Sequence, residues 1–407
     1  MIATDHPAEA IEAPKEMLPE HLGGPELSDE QQELRRRVRE LIAGECSLEV
    51  QREHDEGWRF PYEAWKSMAD TGLMAPCVPA EYGGTGRSVF DQALLVEELG
   101  RGWFALGEAF ATSTFAGTRT LLDVGTEDQR RELLPRFVKG EVRFAFGVTE
   151  PSGGTDVLGA MNTYATPDRD GFVINGSKLF TTMADVSDYI VLLARTDPNG
   201  QRTEGLSLLL VPASADGVEI RRVPTLGLHS NATNQCFFTD VRVSRAALLG
   251  SEGRGWQSLL SSLNNERLVI GALALGNAQA AFEYAGGWAL WREAFGRPVG
   301  GFQAIQHYIS EMATAITTTR LLVYHCAELA AANRGSELLA TMAKYQASET
   351  GARVTDLGMR IMAGRGYTTE HPMQRYFRDA RVFTFGPITN EVAPTFIAQR
   401  LGMPRSF

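Results

Sequence analysis

The hydrophobic pattern changes period twice along the chain, and no single motif constrains the fold as much. Before about residue 145 apolar residues recur at helical spacing, as in Leu34, Val38, Leu41 and Ile42. From about Arg143 to Val243 they come instead in short runs bounded by turns: Phe172–Ile174, Tyr189–Leu193 and Leu206–Val211. From Gly255 onward the pattern is helical again. No internal repeat is apparent, so the architecture reads α, then β, then α. With roughly 100–200 residues per domain, 407 residues accommodate this succession.

Local signals place the expected boundaries. Residues 1–26 carry Pro7, Pro14, Pro19 and Pro25 with little periodicity and read as a flexible tail. An N-terminal all-α domain is expected over 27–145. Ser28 with Gln31 and Thr126 with Gln129 are capping boxes; further helices are expected over Tyr62–Ala69 and Val89–Leu99. A middle β-barrel domain is expected over 146–253, with Asn175-Gly176 and Asp197–Gly200 as turn signals. A C-terminal four-helix bundle is expected over 254–407, from Trp256–Trp291, Gln303–Ala331, Ser336–Met362 and Asn390–Arg400.

Composition excludes several function classes. The chain is 43% apolar and 22% charged, as in a globular enzyme, with a net charge of −11. An acidic surface opposes binding to nucleic acid or to an anionic membrane. No apolar run approaches the roughly 18 residues of a membrane span. Cys46, Cys77, Cys236 and Cys326 lack ligand or disulfide-framework spacing, so no metal site is expected and a reducing compartment is. The opening MIATDHPAEAIEAPKE is acidic, without the apolar core of a signal peptide. The expected location is the cytoplasm.

Four stretches place polar or glycine residues where packing alone would not. Phe146–Asp156 breaks from a strand into a Gly-, Ser- and Thr-rich loop, able to offer backbone N–H groups to a ligand or to serve as a plain turn. Asn175–Thr182 reads as a hairpin turn feeding a strand with Phe180 and Thr182 on one face, suited to a flat heterocycle or simply solvated. In Asn264-Asn-Glu-Arg267, Glu266 shares a helix face with Leu263, Ile270 and Leu273. Burial there would raise the pKa of a carboxyl, as a general base needs, although a Glu–Arg structural pair, or a helix rotated so that Glu266 lies at the edge, also explains the spacing. In Trp291–Gln303, Arg292 and Arg297 follow a helix end, as pyrophosphate ligands or as solvated caps.

Together these stretches resemble the acyl-CoA dehydrogenase family of flavoproteins over about residues 27–403. Val148–Asp156 resembles the flavin-loop signature, and Asn175–Lys178 with Thr182 the next one. Leu226-Gly227 with Phe238–Val243 resembles the end of the middle domain. Arg292–Gly296 with Gln303 resembles the FAD-pyrophosphate element, and Arg378–Arg381 the segment before the active-site loop. The resemblance implies non-covalent FAD and a homo-oligomer, a tetramer or dimer. It implies that Phe146, Val148 and Thr149 line the flavin ring, with Gly154 and Thr155 at its phosphate or at the ligand chain. Phe180 stands where a Trp is frequent, and Thr182 near flavin N5. Arg292, Phe295 and Gln303 would reach FAD from a neighbouring subunit, with Gly364, Thr389 and Glu391 also along the cofactor. Asn264, Arg267 and Thr155 would meet substrate. The implied reaction is α,β-dehydrogenation of an acyl thioester, carried by CoA or a carrier protein. Electrons would pass to an electron-transferring flavoprotein or another external acceptor.

One departure matters. Most members carry the catalytic Glu in a loop that here reads Phe385-Gly-Pro-Ile-Thr389, with Pro387 at the Glu position. Members similar to isovaleryl-CoA and long-chain dehydrogenases place it on the long helix, where Glu266 falls. Proline also lacks the N–H that this position gives the thioester carbonyl, so Gly386 or Ile388 must supply it or the oxyanion site is weaker. Arg360 replaces a glutamine common near the FAD. A flavin oxidase or monooxygenase, or a non-catalytic flavoprotein subunit, are the competing expectations.

Overall fold

The computed structural model of the chain describes residues 24–74 and 76–405; residues 1–23 of the expected tail lie outside them. The helices α1 (Asp29–Glu45), α2 (Leu48–Glu56), α3 (Tyr62–Asp70), α4 (Val89–Gly102), α5 (Phe104–Thr112), α6 (Thr120–Val124) and α7 (Glu127–Val138) come first. The strands β1 (Phe144–Gly147), β2 (Tyr164–Asp168), β3 (Gly171–Thr182), β4 (Tyr189–Arg195), β5 (Leu206–Pro212), β6 (Val218–Arg222), β7 (Thr233–Ser244) and β8 (Leu248–Leu249) follow. Helix α8 (Gly255–Trp291), the hairpin β9 (Glu293–Ala294) and β10 (Arg297–Pro298), then α9 (Gln303–Ala331), α10 (Glu337–Met362), α11 (Met373–Ala380) and α12 (Val392–Arg400) complete the order. The helical, sheet and helical segments are those the hydrophobic periods indicate. Both expected capping boxes form, each with side chain and backbone bonded reciprocally. A third, Ser88 with Asp91 at the start of α4, uses Asp in place of Glu or Gln.

By its contacts the chain falls into two compact units, each interleaved in sequence. Among the described residues, one comprises 54–87 and 109–266, the other 24–53, 88–108 and 267–405. The first is built on the sheet, in the order β6-β7-β3-β2-β4-β5-β8, with β1 parallel to β4. Alternate residues of its strands converge on one apolar cluster: Phe172 and Ile174, Ile190, Leu192 and Ala194, Leu209 and Val211, Phe238, Val241 and Val243. Period-two alternation therefore gives the strands a shared dry side, and β4 and β5 are buried on both faces.

The sheet corrects one expectation. Asn175-Gly176 is not a hairpin turn: β3 runs through it, and the β2–β3 turn lies at Arg169-Asp170. The pairing with β7 shifts between Ile174 and Gly176, so Thr239 and Asp240 together face Asn175. Asn175 and Asp240 hold this bulge reciprocally: the Asn175 amide donates to Asp240 Oδ1 at 3.0 Å, and Asp240 N–H donates to Asn175 Oδ1 at 2.9 Å. Asn-Gly tolerates the unusual backbone of a bulge as well as that of a turn.

The second unit is helical, centred on α4, whose residues from Phe90 to Gly100 are all buried. Its buried carboxylates are matched by arginines: Glu98 by Arg39 in two 2.8 Å bonds, and Glu97 by Arg320 at 2.8 Å. Charges at such depth persist only when paired. Helix α8 packs on α4 backbone to backbone. A Cβ on Gly276 would lie 2.1 Å from the Glu97 carbonyl oxygen, and one on Gly100 would lie 2.7 Å from that of Leu273. Among the described residues no helix is long and apolar enough to cross a membrane. Gly→Ala inside a helix ordinarily stabilises by about 1 kcal/mol. Here the clash is with backbone, so Gly276→Ala is expected to destabilise by about 2–3 kcal/mol, read as a lower urea midpoint.

Candidate active site

In the sheet unit, the loop after β1 is organised by one buried ion pair. Lys178 on β3 is fully buried, Glu150 nearly so, and Lys178 Nζ donates to Glu150 Oε1 at 2.8 Å. The ammonium also donates to the Val148 carbonyl at 3.1 Å and lies 3.0 Å from Met161 Sδ. On its far side the Glu150 carboxylate accepts the backbone N–H groups of Asn162 (2.6 Å) and Thr163 (2.8 Å). Both ends of the 148–163 loop thus close on one ion pair, the 148 carbonyl on the ammonium and the 162 and 163 N–H groups on the carboxylate. Burial pulls the Lys178 ammonium down to about 8, against the pull of the Glu150 charge. Burial pushes the Glu150 carboxyl up, and the Lys178 charge more than reverses this, leaving it below the usual carboxylate range.

This pair sets several expected flavin residues side by side. The Leu179 N–H donates to the Thr149 carbonyl at 2.8 Å, so the half-buried Val148 and Thr149 run along β3. Phe146 is half-buried, edge-on to Phe115 at 5.7 Å. A second bulge sets Leu179 and Phe180 of β3 opposite Gln235. Phe180 takes φ +61 and Met183 φ +52, bracketing Thr181 and the half-buried Thr182 with left-handed residues. Left-handed backbone costs about 1–2 kcal/mol at each non-glycine residue and persists only where its surroundings enforce it. Buried Asn234 does so, its amide donating to the Thr181 and Ala232 carbonyls and to Asp185 Oδ1. The strain leaves a large aromatic ring, Phe180, 59% exposed. Gly154 (φ +45) and Thr155 lie exposed on the outer turn of the loop.

On α8, Glu266 is buried at 6% exposure, and Ile270 and Leu273 on its expected face are buried too. Asn264 is half-buried. In the helical unit Arg267 pairs with Glu337 at 3.6 Å and lies 5.7 Å from the Phe396 ring. Arg400 holds the other Glu337 oxygen at 2.6 Å, so the guanidinium expected at substrate ties α8 to α10 and α12.

The remaining expected residues fall in separate places. At the β9–β10 hairpin, Phe295 and Gly296 take φ +52 and +75, the pattern of a two-residue type I′ turn. Phe295 is 96% exposed at its tip, 6.0 Å from Phe302; Arg292 and Gln303 are exposed beside it. The loop bearing Thr389 packs near Lys344, at the start of α10, whereas Gly364 follows its end. At 1.5 Å per residue these points are about 27–30 Å apart. Thr389 Oγ1 accepts the Val392 N–H at 3.2 Å, capping α12, and Glu391 is exposed. Arg360 pairs with Asp356 on the surface. Glu150, Lys178 and Asn234 were missed as functional residues. Glu150 and Lys178 each sit inside a motif singled out by sequence, but only strand register reveals that they pair.

The residues fit a bound flavin. A strained, exposed aromatic ring stands beside a loop offering hydroxyls and glycine, and the loop's position is fixed by buried charge. Removing one partner of a buried pair strands the other charge, so Lys178→Met is expected to cost about 3–5 kcal/mol, with Glu150→Gln added to it restoring part of the loss. Between pH about 8 and the ordinary lysine value of 10.5 the folded chain holds fewer protons on Lys178 than the unfolded chain does. This group's contribution to stability therefore rises with pH across that window. Urea titrations of wild type and Lys178→Met at about pH 7 and about pH 9.5 measure it, and the gap is expected to widen at the higher pH.

Comparison with known proteins gives the family. The family models for the acyl-CoA dehydrogenase N-terminal, middle and C-terminal domains match residues 28–141, 145–241 and 253–402. The probable acyl-CoA dehydrogenase YngJ of Bacillus subtilis is 35% identical over 378 residues, 92% of this chain and 99% of its own. The solved glutaryl-coenzyme A dehydrogenase glutaryl-CoA complex matches with a TM-score of 0.89 at 31% identity, covering 94% of this chain and 98% of that one. The prolyl acyl carrier protein oxidase AnaB matches with a TM-score of 0.88 at 26% identity, covering 93% and 100%. This chain belongs to the acyl-CoA dehydrogenase family, FAD-binding oxidoreductases that act on the CH–CH group of acyl thioesters.

Proposed function

We propose that this enzyme introduces an α,β double bond into an acyl thioester, with Glu266 as the base that removes the α-proton. The observation that carries this assignment is a carboxylate at 6% exposure on an otherwise apolar helix face, while Pro387 occupies the position of the usual base. A dry carboxylate matches the basicity of its substrate better than a solvated one. Bound FAD supplies the hydride acceptor. Phe146, Val148, Thr149, Phe180 and Thr182 hold the flavin ring, with Gly154 and Thr155 near its phosphate or the ligand chain. Asn264 lies along the acyl thioester. Arg267, engaged with Glu337, supports the helix that carries Glu266.

Arg292, Phe295 and Gln303 reach the cofactor of a neighbouring copy in this reading. Phe295 stands 96% exposed on a hairpin tip, a costly position for an aromatic ring that meets only water. The separation of Thr389 and Glu391 from Gly364 along α10 supports the same arrangement: two copies contribute to one cofactor site. The enzyme is thus a homo-oligomer, a dimer or tetramer, in the cytoplasm. Its electrons leave to an electron-transferring flavoprotein or a similar external acceptor. The acyl group is carried by CoA or by a carrier protein. The segments 27–145, 146–253 and 254–407 are its domains.

Glu266→Gln tests the assignment. The variant is expected to retain FAD and to lose about 10²–10⁴-fold in the rate of flavin reduction by substrate, together with exchange of the α-hydrogen into heavy water. Reduction at the wild-type rate would remove Glu266 from the mechanism.

A further inference from the structure

A second buried lysine grips the loop that carries Pro387. Lys344 of α10 is fully buried. Its ammonium donates to the Ile388 carbonyl and, at 2.9 Å, to Asn390 Oδ1. One turn along α10, Ser348 Oγ donates to the same Asn390 oxygen at 3.0 Å, and the Asn390 amide donates to Glu349 Oε1 at 2.6 Å. The Asn390 N–H closes the loop on the Thr384 carbonyl at 2.8 Å. On the other shoulder the Gly386 N–H is held by the Val382 carbonyl at 2.9 Å. Pro387 has no N–H. Of the amides weighed to replace it, Gly386 is therefore already engaged, and the donors left along the loop are those of Ile388 and Thr389.

Lys344 acts on one of them directly. An ammonium against a carbonyl oxygen draws electron density toward that oxygen and makes the N–H of the same peptide unit a stronger donor. Here the unit is Ile388–Thr389. Its bond is trans, so the Thr389 N–H points away from Lys344. Desolvating a lysine is expensive, and filling space alone would not require the charge.

We propose that Lys344 is a positioning residue for thioester activation: it fixes the Ile388–Thr389 peptide and strengthens the Thr389 N–H as a donor to the substrate carbonyl, in place of the amide that Pro387 removes. The inference rests on the dehydrogenase reading above. A donor aimed at charge that develops during reaction acts on kcat rather than on KM.

The test uses the FAD-loaded enzyme and an acyl thioester that reduces the wild-type flavin. Lys344→Met removes charge and donor; Lys344→Gln keeps a donor without the charge. Both are expected to retain FAD and lose about tenfold or more in kcat, with KM within about twofold. A 3-oxoacyl thioester, which binds as an enolate, is expected to lose affinity by a similar factor, while a saturated non-reacting thioether analogue does not. Wild-type kcat in either folded variant would overturn the proposal. So would equal losses for both analogues, or loss of flavin in both variants, which assigns Lys344 to folding. If no thioester reduces the wild-type flavin, the dehydrogenase reading itself fails, and that result is distinct from any of these.

Discussion

The contact between Glu150 and Lys178 decides the shape of the edge of the sheet unit that carries the expected flavin residues. One carboxylate accepts the ammonium of β3 and two backbone N–H groups at 162 and 163, and the ammonium reaches back to the carbonyl at 148. Three separate stretches of chain therefore meet at a single charged pair that water does not reach. Taking either ion alone into that position would be prohibitive, so the pair tolerates little displacement. Everything placed around it inherits that rigidity: the line of Val148 and Thr149 along β3, and the bulge that turns Phe180 outward. Backbone strain at Phe180 and Met183 persists because this neighbourhood does not relax.

The helical unit uses the same device at a different loop. Lys344, like Lys178, is a fully buried lysine on a regular element, and each holds the backbone carbonyl of a loop that must keep one shape. A lysine does this well because its three donors serve a carbonyl and a side chain together. The close crossing of α8 on α4 completes the frame, since backbone contact at Gly276 and Gly100 leaves no side chain to adjust. Glu266, the proposed base, lies on the same helix, whose later turns are held by these backbone contacts.

Much of this was legible in the residues. The change of hydrophobic period located the sheet segment, and the capping boxes located helix starts, because both depend on local spacing. The spacing of Glu266 with Leu263, Ile270 and Leu273 marked a carboxylate on an apolar stripe, and left open whether it is buried or turned to the edge. Features that depend on register were not legible. Asn175-Gly176 suits a turn and a bulge equally, and only the β7 partner decides between them. Glu150 and Lys178 lie 28 residues apart, with a reversal of strand direction between them. Phe180 was assigned a strand face by period two, and its left-handed backbone had no signal of its own. Lys344 was not singled out in the sequence at all. The signal it did carry is the ring of small residues at helical spacing, Ala340, Thr341, Ala347 and Ser348, which lets another element approach closely.

The decisive property of this flavoprotein is whether it takes a hydride from an acyl thioester. The direct measurement is an oxygen-free titration of the purified FAD-loaded protein with acyl-CoAs of short, branched and long chain, and with the same acyl groups on a carrier protein, followed by the visible flavin absorption. The prediction is that at least one thioester bleaches the flavin stoichiometrically and yields the α,β-unsaturated product. A bound flavin that none of these thioesters reduces would contradict it, and would mark the chain as an enzyme of other flavin chemistry or as a silent subunit.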